Sequence, residues 1–131
     1  MEALKALGVR HLEHTLEVID DKRREHIMPK RAKNPAVLNK GEVTFDQVLA
    51  SIPDGVAVFG ADRYTATMLI GLDDFQTSVA GLRALREAGL SKLSSPVFQT
   101  YTYSGLRDYA MSFSEVMETR RMASRLFARQ Y

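Results

Sequence analysis

Val56-Ala57-Val58-Phe59, then Gly60-Ala61-Asp62, then Arg63-Tyr64-Thr65-Ala66-Thr67-Met68-Leu69-Ile70: the reading of residues 56–70 decides the fold. Two apolar, β-branched runs around a short Gly/Asp turn carry the signature of a β-hairpin. The second run would place Tyr64, Ala66, Met68 and Ile70 on one face. Pro53-Asp54-Gly55 reads as the turn leading into the hairpin. Just upstream, Thr44-Phe45-Asp46-Gln47 has the capping-box pattern, in which the Thr44 hydroxyl accepts from the Gln47 amide and the Gln47 side chain reaches back, so a short helix is expected to about Ser51.

Downstream, Gly71 breaks the strand, Asp73 or Asp74 caps a helix, and Phe75, Val79, Leu82 and Leu85 recur at helical spacing until Gly89 supplies a left-handed C-cap. After Ser94-Ser95-Pro96, the run Val97–Tyr103 has the aromatic and β-branched content of a third strand. A last helix is expected from about Leu106 to Arg129. It places Leu106, Tyr109, Ala110, Phe113, Val116 and Met117 in one arc and Arg107, Arg121, Arg125 and Arg129 on an adjacent flank.

At the other end, Glu2–Met28 holds only one glycine and no proline, and Pro29 terminates it, which predicts a single long helix. Val9, Leu12, Leu16 and Ile19 form one apolar stripe. Leu4, Leu7 and Val18, with His11 and His14 in the same register, form a second on the opposite side. Such a helix is either sandwiched between its domain and a neighbouring subunit or contacted twice within one domain. Residues 29–41 contain two prolines, two asparagines and four basic residues without periodicity, and read as an extended basic arm. The expectation is one α+β domain over 1–131: an N-terminal helix at 1–28, the arm at 29–41, and a body at 42–131. That body has a small antiparallel three-stranded sheet flanked by helices and closes with a long C-terminal helix.

Composition narrows the function. The 131 residues carry 18 basic and 16 acidic side chains, and 45% are hydrophobic, which suits one ordinary core. There is no cysteine, so disulfides, iron–sulfur clusters, thiolate zinc sites and thiol nucleophiles are excluded. No apolar run approaches the ~18 residues of a membrane span, and the first residues show no export leader, so a cytoplasmic protein with no membrane partner is expected. His11-x-x-His14-x-x-Glu17 offers metal-ligand side chains, but without the spacing of a metallopeptidase motif or a fourth ligand. It reads better as interface histidines. Asp20-Asp21, Asp46 and Asp73-Asp74 read as caps and ion-pair partners rather than as an acid/base pair. No nucleophile elbow, Walker loop or dinucleotide glycine motif occurs. Neither a catalytic set nor a metal or cofactor is therefore assigned.

Charge is uneven: residues 22–40 hold seven basic side chains against one acidic. Lys22, Arg23, Arg24, Lys30, Arg31 and Lys33, with Arg121, Arg125 and Arg129, are the candidates for contact with a partner or with phosphate. Leu4, Leu7, His11, His14 and Val18 are the candidate subunit interface. The leading expectation is a non-enzymatic assembly subunit contacting copies of itself or other assembly proteins, such as a component of a bacteriophage head or tail, located in the cytoplasm or virion. The alternative is a nucleic-acid-binding module without sequence preference. A third reading is a small enzyme or ligand-binding domain with its pocket between the sheet and the last helix.

Overall fold

The computed structural model describes residues 1–28, 42–98 and 111–127. Eight elements follow in order: α1 (Glu2–Ala6), β1 (Leu12–Glu17), α2 (Asp21–Ile27), α3 (Phe45–Phe59), β2 (Tyr64–Met68), α4 (Phe75–Glu87), β3 (Leu93–Ser94) and α5 (Phe113–Leu126). The three strands form one sheet in the order β1-β2-β3, and both pairings are parallel. The fold is α+β, but the antiparallel sheet expected from the sequence is not formed.

The reason lies in α3. Its capping box is present in full: the Gln47 amide donates to Thr44 Oγ1 at 3.2 Å and the Thr44 amide donates to Gln47 Oε1 at 2.9 Å. The helix does not stop at Ser51 but runs through Pro53 to Phe59, burying Val48, Ile52, Gly55 and Phe59. Those positions are spaced four, three and four apart, the repeat of a helix face. Pro53 forgoes one intrahelical hydrogen bond, and the burial of this face outweighs that loss. With residues 56–59 helical, no hairpin can form. The chain turns at Gly60 (φ 90°) and enters β2, which finds its neighbour on the far side of a crossover.

That neighbour is β1, inside the segment expected to be one helix over 1–28. The register pairs Leu12 with Tyr64, Glu13 with Thr65, His14 with Ala66 and Thr15 with Thr67, and slips by one residue before Glu17 pairs with Met68. At the slip Glu17 takes a left-handed conformation (φ 64°), rare for a residue with a Cβ. The helical spacing of Val9, Leu12, Leu16 and Ile19 is also compatible with a short strand that buries Leu12 and Leu16 on one side, an ambiguity that periodicity alone does not resolve.

The sequence predicts its third strand at residues 97–103. The third strand is Leu93–Ser94, and Val97 makes a single parallel bridge to Ile70, extending the β2 ladder; residues 99–103 lie outside the described residues. The last helix begins at Phe113, where Ser112 and Glu115 form a second capping box; 106–110 and Arg129 are also outside the described residues, as is the arm at 29–41. The helix capped by Asp74 is α4, and its C-terminus is a Schellman motif: Gly89 (φ 102°) donates to Arg86 O and Leu90 to Leu85 O, each at 3.1 Å. None of the described helices is long and apolar enough to cross a membrane.

One hydrophobic cluster unites these elements. Leu16, Tyr64, Ala66, Met68, Ile70 and Leu93 from one face of the sheet meet Val48, Ile52 and Phe59 from α3 and Leu82 and Leu85 from α4. Each fully buried aliphatic side chain contributes about 1.5–3 kcal/mol. Outside that layer α5 packs on α4, and α1 packs on α3. Two glycines set the closest approaches. A Cβ at Gly55 would sit inside the ring of Tyr64, whose hydroxyl is fixed to Ser51 Oγ at 3.1 Å; a Cβ at Gly81 would meet the movable δ-methyl of Ile19.

Both glycines are helical, so the propensity gained on substitution by alanine is the same at each site and the difference reports packing alone. Gly55→Ala should lower the unfolding free energy by about 1–3 kcal/mol, and Gly81→Ala by less. Urea denaturation of the two variants checks this, and equal losses would show that the Tyr64 ring is not fixed.

Candidate functional site

Because strand side chains alternate, the parity that sends Leu12, Leu16, Tyr64, Ala66 and Met68 into the core sends Glu13, Thr15, Thr65 and Thr67 to the opposite face, and the β2-β3 register adds Ser94. His11, just before β1, joins them: its Nε2 lies 3.0 Å from Thr65 Oγ1. Thr67 Oγ1 donates to Glu13 Oε1, a diagonal contact between the two strands. The result is a row of hydroxyl, carboxylate and imidazole groups across adjacent parallel strands. Thr65, at the centre, is fully buried, while Glu13 and Thr15 are exposed. Parallel sheets generally cover both faces with apolar residues. This one reserves a face for polar groups.

At the carboxyl ends of the strands the loops are held rigid. The Asp73 side chain, almost wholly buried, accepts from the Ile19 amide at 2.7 Å and the Asp20 amide at 3.0 Å, so the loop after β2 is tied to the loop after β1. Asp20 in turn caps α2, accepting from the Arg23 amide at 2.6 Å. Burial pushes the Asp73 carboxyl above its usual range, against the lowering influence of the two amides and of Arg23. Asp74, exposed beside it, is shifted the other way, chiefly because the Thr77 amide donates to its carboxylate.

The basic residues singled out in the sequence are dispersed. Arg24 is 2% exposed and acts inside the fold: its guanidinium donates to Val18 O (2.9 and 2.7 Å), Ile19 O (3.1 Å) and Val43 O, and pairs with Asp21 at 3.0 Å. It satisfies the carbonyls left unpaired where β1 ends in its bulge. Arg23 is partly buried and Lys22 exposed on α2; Arg121, which pairs with Glu118 at 3.2 Å, and Arg125 are exposed on α5. Lys30, Arg31, Lys33 and Arg129 lie outside the described residues.

Among the candidate interface residues, Leu4 and Leu7 belong to α1 and its C-cap, Leu7 is 81% exposed, and Val18 is fully buried. His11 faces the polar side of the sheet and His14 occupies the opposite parity, because residues three apart on a strand point apart. The His11, His14 and Glu17 constellation therefore does not converge. Among the described residues no group of three or more His, Asp or Glu could hold a metal. Glu13, Thr15 and Thr65 escaped the sequence reading; for Glu13 and Thr15 the signal was the alternation of Leu12-Glu13-His14-Thr15-Leu16, hidden by its helical spacing.

No protein-family model matches the chain, and neither a curated protein nor a solved structure matches it significantly.

Asp73 gives a pH signature. Its carboxyl binds a proton more readily in the folded than in the unfolded chain, so its contribution to stability is fully present below the ordinary carboxylate pKa and is lost as pH rises through the folded value. In Asp73→Asn one oxygen remains to serve two amides, and stability should fall by about 1 kcal/mol. That deficit should be largest in acid and shrink as the wild type loses its advantage above pH 4. Denaturant titrations of both proteins from pH 3 to 7 measure it; a deficit growing with pH would contradict the assignment.

Proposed function

We propose that this chain is a ligand-binding α+β domain whose site is the polar sheet face formed by His11, Glu13, Thr15, Thr65 and Thr67. The carrying observation is the sidedness of the sheet: one face carries the apolar cluster and meets α3 and α4, with His14 as the polar side chain of β1 on that side, while the other presents hydrogen-bonding groups in strand register. Ligands of parallel α/β sheets gather toward the carboxyl ends of the strands, and Thr15, Thr67 and the tied loops at Asp73 lie at that end. The Glu13 carboxylate accepts only, and the threonine hydroxyls accept or donate, so the face suits a small molecule rich in donors, such as an amine or a polyol.

The test is ligand-observed NMR against a panel of small primary amines and a panel of polyols, with amide shifts of the labelled protein as the second readout. Binding should move the amides of Glu13, Thr15, Thr65 and Thr67 and weaken about tenfold in Glu13→Gln, which removes the charge from one charge-assisted contact. Hits that leave those four amides unmoved would sink the proposal.

A second reading, that the chain is a subunit of a larger assembly, draws on different observations. Among the described residues β1 and β3 are both edge strands with no further partner, and Leu7 and Phe113 are each 81% exposed. Unpaired edges and isolated large apolar side chains are features that a neighbouring polypeptide covers. Two apolar stripes on one rod, the sequence-based ground for that reading, do not exist, since 12–17 is a strand. Native mass spectrometry decides: a dimer or higher species that dissociates in Leu7→Glu, Phe113→Glu supports the assembly, and a monomer at high micromolar concentration ends it.

A further inference from the structure

At the opposite, amino-terminal end of the strands, a cleft of about 200 Å³ is lined by Lys5, Gly8, Val9, Arg10, Phe59 and Arg63. Three of the six carry positive charge and none is acidic. The cations come from three places in the chain, α1, the link into β1, and the turn into β2, so their convergence is a property of the fold and not of a basic run in the sequence.

The backbone beneath the two arginines is fixed. The Leu12 amide donates to Arg63 O at 2.9 Å, which closes the start of the β1-β2 ladder between them, and the Arg63 amide donates to Gly60 O at 3.0 Å. Lys5 Nζ donates to Val58 O, which anchors its ammonium at the α3 side of the cleft. Asp62, the nearest acidic residue in sequence, is taken by Lys92 at 3.2 Å. Neither Arg10 nor Arg63 has an ion-pair partner among the described residues. Gly8 is in the left-handed region (φ 86°), and a Cβ built there meets nothing within 4 Å, so the backbone leaves the mouth of the cleft open.

Two guanidinium forks and an ammonium around one concavity are the arrangement that recognises a tetrahedral oxyanion, because each fork can give paired hydrogen bonds to two oxygens. Val9 and Phe59 add an apolar patch beside the charges. We infer that this cleft binds the dianionic phosphate of a small monoester, with the phosphate on Arg10, Arg63 and Lys5 and the organic portion against Val9 and Phe59. The inference is independent of the polar-face site, which lies on other residues.

Phenyl phosphate is the probe, titrated into the full chain with ¹⁵N amide shifts and calorimetry as readouts. The amides of Gly8, Val9 and Arg63 should shift at millimolar ligand, and benzyl alcohol, which lacks the charge, should leave them unmoved. Arg10→Gln and Arg63→Gln should each weaken binding about tenfold or more, whereas Arg121→Gln on α5 should have no effect. Both cleft arginines are exposed, so the variants retain the fold, and unchanged far-UV circular dichroism verifies it. Binding that is insensitive to both substitutions, or no shift at these amides, overturns the inference. So does a thymidine oligonucleotide that binds the same residues more tightly than the monoester, since the cleft would then read a phosphodiester backbone.

Discussion

The parallel pairing of Leu12–Glu17 with Tyr64–Met68 is the constraint on which the rest of the structure depends. The alternation at residues 12–16 permits an extended chain but does not by itself select one over a helix. Their backbone groups find partners on a strand that begins at Tyr64, beyond α2, the 29–41 segment and α3. Closing so long a loop is costly in chain entropy, and the return comes from ladder hydrogen bonds together with the burial of Leu16, Tyr64, Ala66 and Met68 on α3 and α4. Remove that pairing and the polar face disappears as well, because His11 would no longer reach Thr65, nor Glu13 Thr67.

The ends of the two strands show how the pairing is secured. At the carboxyl end, Asp73 spans from the β2 side to the amides of Ile19 and Asp20, and Arg24 gathers the carbonyls of Val18, Ile19 and Val43. A carboxylate and a guanidinium, both withdrawn from water, thus satisfy the irregular backbone where β1 bulges at Glu17. Each is costly to bury and costlier to remove, since its loss strands the groups it serves. At the amino end the ladder starts between Arg10 and Arg63, which line a cleft and have no ion-pair partner among the described residues. The two ends of one strand pair therefore differ in kind: one is spent on holding loops, the other holds cations over open space.

Several elements were legible from local chemistry. Asp74 with the Phe75–Glu87 periodicity and Gly89 defined α4 at both ends, and the Thr44/Gln47 capping box marked the start of α3. The alternation of Tyr64, Ala66, Met68 and Ile70 marks one face of an extended segment, and all four are buried, although the hairpin partner expected at 56–59 is helical. In each case the signal is carried within a few residues, by a side chain that satisfies a nearby backbone group or by an alternation. What misled was punctuation. Pro53-Asp54-Gly55 has turn composition, yet Pro53 is exposed on a helix and Gly55 is present because the Tyr64 ring occupies the space of its side chain. The candidate site was largely illegible for the same reason, since Glu13 and Thr67 become neighbours only once the register is set.

By itself, then, the amino-acid sequence determined which segments cap, which repeat with a helical period and which residues must leave water, because those are contests settled over one or two turns of chain. Only the tertiary structure decided that Leu12–Glu17 is a strand, that the sheet runs parallel, that Arg24 serves the interior, and that Lys5, Arg10 and Arg63 share a cleft. The physical reason is common to all four. Helix and strand were nearly balanced in local free energy at residues 9–19, and the balance was tipped by hydrogen bonds and buried surface contributed by residues some fifty positions away, which no local pattern encodes.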